Sequence, residues 1–240
     1  MTITTGTRVV ILGGTSGIGL ATAKAAVFAG ASVVVASRKP TSVASALAEL
    51  PDTAEGYPVD ASSSAALVDF FGHLGAFDHF VYTAGDNLVP ATLDTYTPEQ
   101  GRAFLELRVV RAFESVRLAV PHMRSGGSVT LTSGTAAWRG GTGWFLGSAA
   151  SGAIISAARS LAVELAPIRV NVVAPGVVRS PLWAELPDTD REAMFHALGE
   201  HLPLGRIAEV EDVAKAFLNL MNSDYVTGTV SVVDGGTLAG

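Results

Sequence analysis

Short apolar runs alternate along this chain with longer, Ala-rich stretches of helical period. Val9–Leu12, Val33–Ala36, Gly56–Val59, His79–Thr83, Ser128–Thr132, Arg169–Val173 and Thr229–Val233 have strand length, and most are rich in β-branched residues. Between them, Gly17 to Gly30, Val43–Leu50, Ala65–Leu74, Pro98 to His122, Ser148–Leu165, Arg191–Gly199 and Val210–Met221 read as helices, the first ending on a glycine cap. Strands alternating with helices predict right-handed βαβ crossovers and a parallel sheet covered on both faces. The stretch 180–206 breaks the rhythm. It holds Pro181, Pro187 and Pro203 with several charges, and reads as an excursion from the sheet, a lid over a binding site.

Composition narrows the functions open to such a fold. The 240 residues carry a net charge of −6, which disfavours nucleic acid as a partner because phosphate binding needs a basic face. The only lysines are Lys24, Lys39 and Lys215, so no polybasic membrane patch is expected. Apolar runs are interrupted by Gly, Ser or Arg, and no membrane span is expected. Cysteine is absent, which excludes disulfides and thiolate metal sites. His73, His79 and His122 lack metal-ligand spacing, so no metal is expected. Met1 to Thr7 is short and polar, unlike a signal peptide, and the expected location is cytoplasmic.

The first strand runs into Gly13, Gly14, Thr15, Ser16, Gly17, Ile18 and Gly19, and then into a helix. Strand, glycine-rich turn and helix in that order suit a dinucleotide: missing side chains admit the pyrophosphate, and the helix start offers unsatisfied N–H groups. Thr15 and Ser16 add hydroxyls. The second strand ends in Ser37, Arg38 and Lys39, without the carboxylate that would hold a ribose 2′-hydroxyl. Two cations there fit a 2′-phosphate, so the expected cofactor is NADP rather than NAD.

These motifs resemble those of the short-chain dehydrogenase/reductase family, and the resemblance extends over nearly the whole chain. Gly13 to Gly19 resembles TGxxxGIG, Tyr82-Thr83-Ala84-Gly85 resembles NNAG, and Leu131-Thr132-Ser133 resembles the strand that ends in the catalytic Ser. Asn171 to Gly176 resembles N-x-(V/I)-x-PG, and Val232 to Gly236 resembles the last strand. The resemblance implies one Rossmann-type α/β domain over residues 1–240, with a doubly wound, seven-stranded parallel sheet in the order 3-2-1-4-5-6-7. It implies dinucleotide contacts at Asp60, Ala61, Thr83, Ala84, Gly85, Pro175, Gly176, Val178 and Ser180. It also implies a homodimer or homotetramer built on the helices Pro98–His122 and Ser148–Leu165.

The family's chemistry rests on Asn, Ser, Tyr and Lys, and here the sequence departs. Counting back from Ser160-Leu161-Ala162-Val163-Glu164-Leu165-Ala166-Pro167 puts Tyr at Gly147 and Lys at Ser151. No Tyr or Lys occurs between Ser133 and Pro175. The Asn position falls on Arg108, by a register anchored at Pro121-His122-Met123. The candidate catalytic set is therefore Ser133, Ser151 and Arg108, with Ser148 as a further hydroxyl. Arg108 either faces inward, to polarise a carbonyl or pair with an anion, or forms an ion pair with an acid such as Glu106. Tyr82 is either a substitute proton donor or a structural hydrogen bonder. His196 and His201 are either mobile acids of the lid or surface residues. Trp138, Trp144, Phe145 and Trp183 are candidate walls of a substrate pocket.

Three readings follow: an NADP(H)-dependent oxidoreductase of a small carbonyl or alcohol with an altered proton-transfer site, a non-catalytic NADP-binding sensor or scaffold, or a cofactor-independent lyase or isomerase. Turnover separates the first two, and indifference to NADP marks the third.

Overall fold

The computed structural model describes residues 3–87 and 91–239. Seven strands form one parallel sheet: β1 (Arg8–Leu12), β2 (Ser32–Ser37), β3 (Glu55–Pro58), β4 (Phe77–Tyr82), β5 (Met123–Thr132), β6 (Arg169–Pro175) and β9 (Val230–Val233). Their order is β3-β2-β1-β4-β5-β6-β9. This is the anticipated Rossmann-type order. The two extra numbers belong to β7 (Val178–Arg179) and β8 (Ala208–Glu209), a two-stranded ribbon outside the sheet that pattern reading missed because each strand has two residues.

Period-two alternation makes two cores. Val10, Leu12, Val34, Phe80, Val170 and Val172 face the layer of α3 (Ser64–His73), α5 (Arg111–Ala119) and α6 (Phe145–Glu164). Val9, Ile11, Val33, Val35 and Val81 face α1 (Gly17–Phe28), α2 (Pro40–Leu47) and α8 (Val210–Asn222). The first core carries the aromatic chain Tyr57, Phe70, Phe71, Phe80, with edge-to-face centroid distances of 5.7, 5.1 and 5.6 Å. α6 has the length and hydropathy of a membrane span, unlike the sequence expectation. Its Ile154, Ile155, Ala158 and Ala162 nevertheless pack into this sheet core, and Arg159 interrupts its other side.

The expected helix Pro98–His122 is not uniform. α4 (Pro98–Leu105) starts in a capping box of Thr97 and Gln100, widens into a π turn over Glu106–Val110, and continues as α5 to a 3₁₀ turn at Val120–His122. In the widened turn the Arg111 N–H donates to the Glu106 carbonyl, five residues back. The lid contains α7 (Asp188–Glu200) and a small core of its own, where Phe195 and Ile207 pack with Trp183. Arg179 joins it to the ribbon through Glu192 at 2.5 Å and Glu209 at 3.3 Å.

The α8 side of the sheet also buries polar groups. Arg169 donates to the carbonyls of Leu220 (2.7 Å) and Met221 (2.9 Å), a cation at the C-terminal end of α8 where carbonyls lack partners. Buried His79 contacts the Ser128 hydroxyl at 2.8 Å. Burial, reinforced by the Arg169 charge, lowers the His79 pKa to about 4, so it is neutral in the folded protein near neutral pH. The unfolded chain protonates this histidine near its ordinary value of 6.5, well before the folded protein does. Stability contributed by neutral His79 is therefore complete above that value and is lost as pH falls toward 4. Chemical denaturation at stepwise lower pH is expected to show this group removing about 3 kcal/mol across that window. His79→Gln is expected to flatten that slope, and an unchanged slope in the variant refutes the assignment.

Candidate functional site

A cleft of about 630 Å³ opens at the C-terminal ends of β1, β2, β4, β5 and β6, beside the point where the strand order reverses. Its floor is the glycine turn, and the packing there is backbone on backbone. A Cβ on Gly19 would lie 2.1 Å from the Gly13 carbonyl oxygen, and one on Gly13 would lie 2.5 Å from the Ala84 nitrogen. Gly13 also has a φ of +93°, in the left-handed region. Ser16 precedes α1 without a side-chain capping bond, which leaves the first N–H groups of the helix to the cleft.

The structure brings nearly all the anticipated cofactor contacts to this cleft. Gly13, Thr15, Ser16, Gly17, Ile18 and Gly19 line it from the turn, Ser37 and Arg38 from the end of β2, and Asp60 and Ala61 from the loop after β3. Thr83, Ala84 and Gly85 follow β4. Pro175, Gly176, Val178 and Ser180 lie between β6 and the lid. Lys39 does not join them. It is the exposed residue before Pro40, where the chain turns into α2, and the turn carries it out of the lining. Arg38 is thus the cation at this end, 3.9 Å from Asp86 and largely exposed. The Asp60 carboxyl lies below the usual carboxylate range, chiefly because the Ser62 hydroxyl donates to it at 2.7 Å and the Ser62 amide also donates.

At the other end, Ser133 donates to the Ser151 backbone carbonyl at 3.0 Å. Gly147 and Ser151, one helical turn apart on α6, line the cleft beside it. Ser148 is not in the lining; its hydroxyl approaches Gly140. Arg108 faces inward from the π turn. Its guanidinium lies 4.8 Å from the centroid of the Phe104 ring and donates to the Asp86 carbonyl. The alternative pairing with Glu106 does not form, since Glu106 pairs with Arg111 at 2.9 Å. Burial lowers the pKa of Arg108, while the Asp86 charge opposes this.

Tyr82 is a structural residue. Its hydroxyl donates to the Leu107 carbonyl of the π turn at 2.5 Å, and burial pushes its pKa well up. A phenol committed in this way is a poor acid near neutral pH. His196 and His201 also stay out of the lining. His196 lies on the outer side of α7, 3.6 Å from Glu200, and His201 is exposed at the end of that helix. Trp144 and Trp183 form one wall, with ring centroids 6.1 Å apart. Trp138 is half-exposed outside the lining and Phe145 packs on Tyr96, so neither is a wall. Sequence reasoning missed Asn87, which donates to Glu185 of the lid at 2.7 Å, and Arg139, which donates to the Thr237 carbonyl. Neither belongs to a motif, and only the folded chain brings those partners near.

The family model described as enoyl-(acyl carrier protein) reductase matches residues 13–237. A short-chain dehydrogenase/reductase of an Acremonium species, ucsE, is 36% identical over 96% of this chain and 94% of its own length. Another from Malbranchea aurantiaca, malC, is 34% identical over 97% and 95%. Among solved structures, a small-chain dehydrogenase in complex with NADPH is 33% identical with a TM-score of 0.87, over 98% of this chain and 99% of that one. The MalC reductase/Diels-Alderase is 32% identical with a TM-score of 0.91, over 99% and 98%.

The backbone contact at the turn gives a direct test. Gly19→Ala forces a methyl against the Gly13 carbonyl, and overpacking of this kind costs about 1–3 kcal/mol. Denaturation is expected to show that loss, together with weakened dinucleotide binding. A variant of unchanged stability refutes the contact. The motifs, the sheet order and these comparisons agree: the chain belongs to the short-chain dehydrogenase/reductase family of oxidoreductases.

Proposed function

We propose that this protein is an NADP(H)-dependent oxidoreductase of a small carbonyl or alcohol, with a proton-transfer site that differs from the family's usual one. The observation that carries the reading is the intact glycine cradle continuous with a cleft in which Ser133 faces Gly147 and Ser151. The cradle fits a dinucleotide because Gly13, Gly17 and Gly19 line the cleft without side chains and α1 begins there without a side-chain cap, leaving backbone N–H groups for a pyrophosphate. Arg38 supports a 2′-phosphate, as does the NADPH held by a 33%-identical structural neighbour. The bound dinucleotide would supply hydride chemistry. This chain would supply orientation and polarity: Ser133 as a hydroxyl near the reacting oxygen, Ser151 as space and a polar edge for water, and Arg108 as a fixed cation.

Among the described residues no lysine or histidine lines the cleft, and its one lining tyrosine, Tyr82, is tied to Leu107. Proton delivery in this reading falls to water. Loss of a positioned acid costs typically about 10²–10⁴ in rate, so slow turnover is expected. A second reading draws on the same absence. A structural neighbour is described as a reductase/Diels-Alderase, and a Diels–Alder reaction closes a ring. Ring closure needs shape more than a proton donor. The proposed assembly is a homodimer or homotetramer, using the half-exposed face of α6 and the α4–α5 helix.

Calorimetry with NADPH and NADH tests the cofactor. NADPH is expected to bind at least about tenfold tighter, and Arg38→Glu to abolish that preference. Equal affinities refute it. Gly147→Tyr combined with Ser151→Lys is expected to raise ketone reduction by about 10²-fold or more, read as NADPH oxidation. The absence of turnover with any carbonyl or alcohol, in wild type and double variant alike, leaves only dinucleotide binding and overturns the reductase reading.

A further inference from the structure

We propose that the half of the cleft beneath the lid binds a planar aromatic compound carrying an anionic group, with Trp144 and Trp183 as walls and Arg139 as the anion contact. The inference rests on the proposed reductase reading for the role of the site, and it names the substrate class.

The wall at this end is aromatic, two indoles packed edge to face. The Trp144 indole lies between two glycines: a Cβ on Gly141 would sit 3.3 Å from its Cδ1, and one on Gly147 would sit 3.7 Å from its Cε3. Side chains at these positions would press on the indole, and their absence leaves part of it to the cleft while the rest packs against the lid core. Trp183 meets it at 67°, and its own Nε1–H is committed to the Val178 carbonyl at 3.0 Å. Trp183 is therefore held in place behind Trp144, whose partly exposed indole gives the cleft its aromatic surface. A small aliphatic ketone would leave most of that surface unfilled, whereas a ring system would bury it.

Charge supplies the second half of the inference. Most arginines of this acidic chain are ion-paired, including Arg8, Arg111, Arg124, Arg179 and Arg206. Among the described residues Arg139 has no carboxylate partner. It donates to the neutral Thr237 carbonyl, which holds the guanidinium at the cleft with other N–H donors uncommitted. The carboxylates in the lining, Asp60 and Asp86, lie at the far end, where Ser62 and Arg38 accompany them. The lining at the indole end thus holds a cation and no carboxylate, Glu185 of the lid lying outside it and bonded to Asn87, so an acidic group on the aromatic ligand gains a charge-assisted contact with Arg139.

The test uses 2-naphthoate and its neutral counterpart 2-naphthamide, titrated into the full-length protein saturated with NADP. Tryptophan fluorescence and calorimetry are the readouts. Naphthoate is expected to bind at least about fivefold tighter, with the advantage shrinking between about 50 and 500 mM salt. Arg139→Gln is expected to remove the advantage, and Trp144→Ala to weaken both ligands by about tenfold. Equal affinities, an advantage that survives Arg139→Gln, or binding of neither compound at millimolar concentration overturns the inference. Failure to bind NADP in the saturation step counts against the reductase reading instead, and the naphthoate titration repeated without dinucleotide still decides the aromatic-anion site.

Discussion

The site depends on one steric constraint, the contact of backbone with backbone at the first turn. Gly19 sits on the Gly13 carbonyl, and Gly13 sits on the Thr83–Ala84 peptide at the end of β4. These contacts leave no room for a Cβ, so they fix the start of α1 against β1 and β1 against β4. The sheet reverses its order at this junction, and helices leave to opposite faces on either side. The cleft is the space that the diverging helices cannot fill. Its depth therefore follows from the same glycines that would admit a pyrophosphate.

Much of this was legible in the sequence because it rests on local pattern. Val9, Ile11, Val33 and Val35 face one core while Val10, Leu12 and Val34 face the other, an alternation written in the sequence itself. The glycine turn was readable because only glycine tolerates such approaches. The rest was hidden where long-range contacts decide. Lys39 looked equivalent to Arg38 until Pro40 turned the chain away from the cleft. Trp138 and Trp144 looked alike as loop aromatics, yet only the second has glycines on either side of its indole in the fold. The latch from Asn87 to Glu185 spans 98 positions and carries no local signal.

The π turn shows how a local irregularity couples two parts of the site. A regular helix through Glu106–Val110 would direct each N–H to the carbonyl four residues back. The wider turn sends the Arg111 N–H to Glu106, and the Leu107 carbonyl takes the Tyr82 hydroxyl instead. That bond ties the end of β4 to the helix carrying Arg108. Arg108 in turn bonds the Asp86 backbone, four residues past Tyr82. Strand end, loop and helix thus form a closed ring of contacts. Its strongest polar members are spent on structure, which explains why the most buried phenol of the cleft is its least available acid.

Gly147 on α6 also shapes the cleft. A side chain there would meet the Trp144 ring, and its absence gives part of the α6 face to an indole. Burying aromatic surface yields free energy roughly in proportion to area, independently of pH, whereas an acid contributes only over the range set by its pKa. The wall facing Ser133 thus carries no titratable side chain at Gly147 and gives that space to an aromatic surface. In a site arranged this way, discrimination between substrates shifts toward shape and charge at the indole end. Under the proposed reductase reading, the rate would depend on how readily the substrate's own oxygen bears negative charge until water protonates it.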